Sequence, residues 1–214
     1  MPTQKKPDEH AMDQKVFLEN KLQPLLDECK DGKRDVQFMD ASHFVFGSFV
    51  CVLWCRVRQW VRAASGRQRH NVLGALHATS HELTTIINDT YVNAETVCEL
   101  LRKLRMQAPS GRLITVVLDN AKYQTCGLVA KCAAECAIDL CFLPSYSPNL
   151  NLIERYWKYV KKTCLYGKYH ANFKAFQAAI DACIRDSSVK DKAKLDSLLT
   201  LNFQSFNNAQ LYTA

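Results

Sequence analysis

Apolar residues in this chain either run together in short blocks or recur three and four apart, and the two patterns separate strands from helices. Leu113 to Leu118 is an apolar, β-branched run that stops on Asp119, and Ile138 to Leu143 is a second, short apolar run leading into the turn-rich stretch PSYSPNLN. Blocks of this kind read as strands covered on both faces, which stay apolar without alternating. Val36, Phe38 and Asp40 do alternate, placing two apolar groups and then an acid on one face of a strand. Phe44 to Trp54 and Gly74 to Ile87 supply a second and a third strand, and the three predict an antiparallel meander.

Helical spacing appears elsewhere. Val16, Leu18, Leu22, Leu25, Leu26 and Cys29 predict a helix over Asp13 to Lys30, kinked at Pro24, behind a polar stretch of about twelve residues expected to be disordered. Val97, Leu100, Leu101 and Leu104 predict a helix from Ala94 to Met106, capped by Asn93. Further helices are expected from Gly127 to Ala137, from Asn151 to about Leu165 and from Phe173 to about Arg185, with one more helix or a loose arm after Asp186. The helix after PSYSPNLN buries Ile153, Tyr156, Trp157, Val160 and Cys164 and turns Glu154, Lys158 and Lys161 outward. The order of elements predicts an α/β fold with a mixed sheet.

Two acids now stand out, because each closes or opens an element. An aspartate ending an apolar strand belongs at the strand's mouth, since an unpaired buried carboxylate is costly. Glu154 lies in a helix's first turn, with thirty-four residues between it and Asp119. Each acid also has a plain structural reading. Asp40 and Asp119 can start turns, and Glu154 three residues after Asn151 completes a capping box or pairs with Lys158.

At 214 residues with 48% apolar and 23% charged residues, the chain has the balance of a globular protein and can bury a sizeable core. No apolar run reaches the roughly 18 to 20 residues of a membrane span, and the first ten residues lack the apolar core of a signal peptide, so a cytoplasmic protein is expected. The net charge of +7 is concentrated. Arg56, Arg58, Arg62, Arg67 and Arg69 crowd one connection, and Arg155, Lys158, Lys161, Lys162 and Lys168 crowd the neighbourhood of Glu154. Clusters of this kind suit a phosphate backbone or simply form a solvated face. Ten cysteines include no C-x₂-C pair, and most lie in apolar runs, which predicts reduced, buried thiols. His77 and His81 read as structural or surface residues.

The strings LDNAKYQ and LPSYSPNLNLIERYWK, with VQFMDASHF upstream, resemble the acid motifs of DDE transposases of the mariner superfamily, in the bacterial insertion-sequence branch. The likeness runs over roughly residues 13 to 185. It implies an RNase H-like, retroviral-integrase-like fold with a mixed five-stranded sheet flanked by helices. The implied division is a tail and linker helix over residues 1–30, a catalytic domain over 31–186 and a helix or arm over 187–214. In such a protein Asp40, Asp119 and Glu154 are the catalytic and metal-holding acids for two Mg²⁺ ions, with Mn²⁺ as a substitute. The activity would be metal-dependent cutting of element ends and joining of the 3′-hydroxyl to target DNA. Arg155, Lys158, Lys161 and Lys162, with Arg56, Arg58, Arg62, Arg67 and Arg69, become DNA-binding candidates, and Asn120, Lys122, Tyr146 and Asn149 lie in the motifs without an assigned role. Leu152 stands where the family usually has proline. The helix-turn-helix units that the family carries ahead of its linker helix have no counterpart before Asp40. The expected partners are therefore DNA, a second copy or another transposase chain, or the missing units, in a bacterial cytoplasm and at the nucleoid when on DNA. Two further readings are a truncated, non-catalytic partner or inhibitor of an intact transposase, and an RNase H-like nuclease acting on RNA hybrids or junctions.

Overall fold

The computed structural model describes residues 7–47, 68–88 and 90–203. Five strands form one sheet in the order β3-β2-β1-β4-β5: β1 (Arg34–Val45), β2 (Arg69–His77), β3 (Leu83–Asn88), β4 (Leu113–Leu118) and β5 (Ile138–Phe142). β1 pairs antiparallel with β2 and parallel with β4, so the sheet is mixed as the sequence predicts. Among the described residues seven α-helices accompany it: α1 (Pro7–Phe17), α2 (Gln23–Lys30), α3 (Ala94–Gln107), α4 (Gly127–Glu135), α5 (Leu152–Val160), α6 (Phe173–Lys190) and α7 (Lys192–Leu198).

Alternation along the strands divides the core in two. Val36, Phe38, Phe44, Val72, Leu76 and Val117 face one side, under α2, α5, α6 and α7, while Met39, Leu73, Ala75, Val116 and Leu118 face the other, under α3 and α4. The result is a helix–sheet–helix sandwich in which α5, with Tyr156 and Trp157 fully buried, is the central element of one outer layer.

Several boundaries differ from the sequence reading. The expected second strand is not separate at its start, because Phe44 and Val45 complete β1, and its remainder beyond residue 47 lies outside the described residues. The expected third strand splits into β2 and β3. The ring of His77 accepts the N–H groups of Thr79 and Ser80, and His81 takes a left-handed backbone (φ 59°), which turns the chain back. Helix α1 begins at Pro7, earlier than expected, and Pro24 causes no break. A π-helical turn at Leu18–Leu22 joins α1 to α2, and widening the helix just before a proline relieves its missing N–H. Helix α6 runs to Lys190 without a break at residue 186. Asn93 caps α3 as predicted, its side chain accepting from the Thr96 N–H at 2.9 Å. All eight described cysteines are free thiols, five of them buried; Cys51 and Cys55 lie outside the described residues.

Candidate active site

The parallel register places the first two acids together. The last β1–β4 pair is Phe38 with Val117, and two residues further along each strand stand Asp40 and Asp119. Adjacent strands lie about 4.8 Å apart, and the period of two keeps both acids on the face of Phe38 and Val117, the face under α5. The sequence reading put Asp40 at a strand end. In the structure β1 continues to Val45 along β2, and what ends near Asp40 is the neighbouring strand β4. The open end of the β1–β4 ladder gives both carboxylates room.

The third acid arrives with α5. Opposite Asp40 across the β1–β2 ladder stands Gly74, and a Cβ built there would meet the Trp157 ring at 2.9 Å and Ile153 at 3.2 Å. Only a glycine lets α5 lie this close to the strand. With Trp157 seated there, Glu154 one turn earlier comes near enough to Asp40 to act on its charge. Burial, then the charges of Glu154 and Asp119, push the Asp40 carboxyl up to about 7, against a favourable Ala41 N–H and the nearby Trp157 indole. The indole Nε1 is buried without a well-formed hydrogen bond, so its help to the carboxylate is weak. Asp119 is also raised by burial, partly offset by the Asn151 amide. Burial, with the Asp40 and Asp119 charges next, raises the phenol of Tyr123, which lies in the loop after β4.

Asn151 takes a role different from the expected cap. Its Nδ2 donates to the Met39 carbonyl at 3.3 Å, no side-chain cap forms, and the Asn151 N–H goes to Pro148. The capping box with Glu154 is therefore absent, and Lys158 makes no ion pair with Glu154 among the described residues. Both plain readings of Glu154 lapse, which leaves its carboxylate to the site. Asn151, 1% exposed, instead ties the start of α5 to β1 beside both aspartates.

The remaining candidates separate. Asn120 donates to the Leu143 carbonyl and ties the ends of β4 and β5, while Lys122 is exposed in the loop between. Asn149 donates to Gln14 Oε1 at 3.1 Å, and Gln14 Nε2 donates to the Tyr146 carbonyl at 3.4 Å, so α1 is clipped to the loop before Glu154. Lys158 and Lys162 are exposed, and Lys161 lies 5.9 Å from the Phe44 ring centroid. Arg155 departs from the expected phosphate contact. It donates to the Thr200 and Asn202 carbonyls at 2.6 and 2.8 Å and stacks on Phe203, anchoring the segment after α7. Arg155→Ala should therefore release that segment, read as several-fold faster chymotryptic cleavage at Phe203. Of the first basic cluster Arg69 is exposed on β2, and Arg56, Arg58, Arg62 and Arg67 lie outside the described residues. Sequence reasoning missed Asn151, Gly74, Trp157, Tyr123 and Gln14 as builders of the site. LDNAKYQ contains Tyr123 and LPSYSPNLNLIERYWK contains Asn151 and Trp157, but nothing local marks Gly74 or Gln14.

Among the described residues no three His, Cys, Asp or Glu side chains converge closely enough to cage a cation alone. The donor set nonetheless suits a hard ion. Its members are carboxylates; burial and the neighbouring acid charges raise Asp40, and burial raises Asp119. Mg²⁺ in particular binds through one or two carboxylates and completes its shell with water and substrate phosphate.

No curated protein matches the sequence. Solved structures of the Mos1 transposase share the fold: a strand transfer complex (TM-score 0.64, 12% identity), a mariner paired end complex with Mn (0.61, 13%) and a pre-cleavage transpososome (0.59, 12%). They cover 92%, 92% and 89% of this chain, which in turn spans 61%, 62% and 64% of theirs, or about three fifths of their length. The sheet order and these likenesses make the fold RNase H-like. A sequence model of the DDE superfamily endonucleases matches residues 35–177, from the second residue of β1 into α6, and takes in all three acids. The chain belongs to the DDE superfamily endonucleases.

Proposed function

We propose that this chain is the catalytic part of a metal-dependent DNA transposase, which hydrolyses a phosphodiester at an element's end and then joins the freed 3′-hydroxyl to target DNA. The observation that carries the reading is the juxtaposition of Asp40 and Asp119, level on adjacent parallel strands, beneath the helix that delivers Glu154. Asp40, Asp119 and Glu154 would hold the divalent ions, two Mg²⁺ or Mn²⁺. Such ions, when bound, supply charge neutralisation at the scissile phosphate and a more acidic attacking water. The chain's own residues do the rest. Asn151 fixes the start of α5 against β1, Trp157 sets the height of Glu154, and the exposed Lys158 and Lys162 hold flanking phosphates. The paired-end and strand transfer complexes of Mos1 support DNA as the partner. The proposed assembly adds a second copy or DNA-reading units.

Supercoiled plasmid with Mg²⁺ or Mn²⁺ tests the reading directly. The chain should nick it, and Glu154→Gln should not; equal nicking by both would refute the assignment. DNA affinity against salt gives a second check. Lys158→Ala and Lys162→Ala should each lower the slope of log K against log[salt] by about 0.9. Arg155→Ala, whose guanidinium is already engaged, should leave the slope unchanged.

A further inference from the structure

Beside Glu154 lies a cavity of about 670 Å³ bounded by the Tyr146–Asn149 loop, the Glu154–Lys158 face of α5 and the segment after α7. That volume falls among small-ligand pockets, with room for a nucleotide and none for a duplex. Tyr146 stands at its edge. Its side chain is 83% exposed and its backbone is left-handed at φ 56°, a conformation that tyrosine rarely adopts and that clusters at ligand clamps. The strain is held in place, because the Gln14 amide donates to the Tyr146 carbonyl and the adjacent Ser147 is buried. Tyr91 and Tyr169 are also exposed, at 67% and 52%, but neither borders this cavity or has a positive φ. The cavity thus combines an outward aromatic plane, the exposed ammonium of Lys158 and the side of α5 that carries Glu154.

We infer that this cavity is a subsite for one unpaired nucleotide next to the reacting phosphate, with its base stacked on Tyr146 and its phosphate near Lys158. The inference rests on the proposed DNA-cutting activity and adds that the strand must be unpaired beside the cut. Stacking on an aromatic ring is tolerant of base identity, so the subsite selects unpaired over paired DNA and not one sequence.

The test uses a duplex with a short single-stranded 3′ overhang carrying 2-aminopurine, bound in Ca²⁺. Wild-type protein and Tyr146→Phe should quench the fluorescence. Tyr146→Asn, which tolerates the left-handed backbone but lacks a ring, should lose the quench and bind the overhang duplex roughly tenfold more weakly, with blunt duplex unaffected. Absence of quenching by the wild type, or full quenching by Tyr146→Asn, would overturn the subsite. Plasmid nicking in Mg²⁺ by the same preparations keeps the two ideas apart. Nicking without Tyr146-dependent quenching sinks the subsite alone, and quenching without nicking upholds nucleotide binding while removing the catalytic reading.

Discussion

Asp40→Asn should lower metal-dependent DNA cleavage by roughly a thousandfold or more, since the lost charge stabilisation is worth several kcal/mol and each ~1.4 kcal/mol is tenfold in rate. The same substitution should make the metal-free protein more stable at neutral pH. In the folded chain the Asp40 carboxyl titrates near 7, above its ordinary 3.8, because burial and the Glu154 and Asp119 charges disfavour its ionised form. The sign follows from proton uptake. Between pH 4 and 7 the folded state holds a proton at Asp40 that the unfolded chain has released, so stability from this group is full below pH 4 and falls as pH rises to 7. Asparagine keeps the shape without the charge. The melting midpoint of Asp40→Asn should match the wild type near pH 4 and exceed it increasingly up to pH 7 to 8. Thermal scans in a chelator against pH check this, and a constant difference across that range would contradict the account. Loss of activity together with a gain in stability is the expected sign of a site built to hold charge and not to hold the fold.

Gly74→Ala should have the second largest effect, although residue 74 has no side chain to offer the site. A methyl group at 2.9 Å from the Trp157 ring forces α5 outward, and overpacking of this kind costs about 1–3 kcal/mol. Because Glu154 rides on α5, cleavage should fall more than stability does, by one to two orders of magnitude at about 1.4 kcal/mol each. The atoms in conflict belong to the outer ring of the indole, which phenylalanine lacks. The Gly74→Ala/Trp157→Phe double variant should therefore be less destabilised than the sum of the single variants. Urea unfolding of the four proteins measures the coupling, and strict additivity would show that the close approach does not set the helix.

The parts that were legible in the sequence are those whose signals are local. An apolar block ending on an aspartate gave β4 and Asp119, and the stripe Ile153, Tyr156, Trp157, Val160 gave α5 and its buried face. Asp40 was found through its motif, but its place within a long strand was not, because only the register with β4 shows where the neighbour stops. The Gly74–Trp157 contact and the Gln14 clip join residues far apart in sequence, and neither residue type signals such a partner locally. Asn151 illustrates a different limit. Its position after a turn and before an apolar helix is that of a cap, and the competing acceptor, the Met39 carbonyl, exists only once β1 lies beneath it. Arg155 likewise reads as part of a basic cluster until the segment after α7 folds back onto it.

We propose that Asp40, Asp119 and Glu154 form one divalent-cation site. Anomalous diffraction from crystals soaked in Mn²⁺, with Asp119→Asn collected alongside, tests it most directly. Manganese density should be shared by Asp40 and Asp119, with Glu154 beside it, and be lost or much reduced in the variant. No manganese at these acids, or density unchanged in Asp119→Asn, would contradict it.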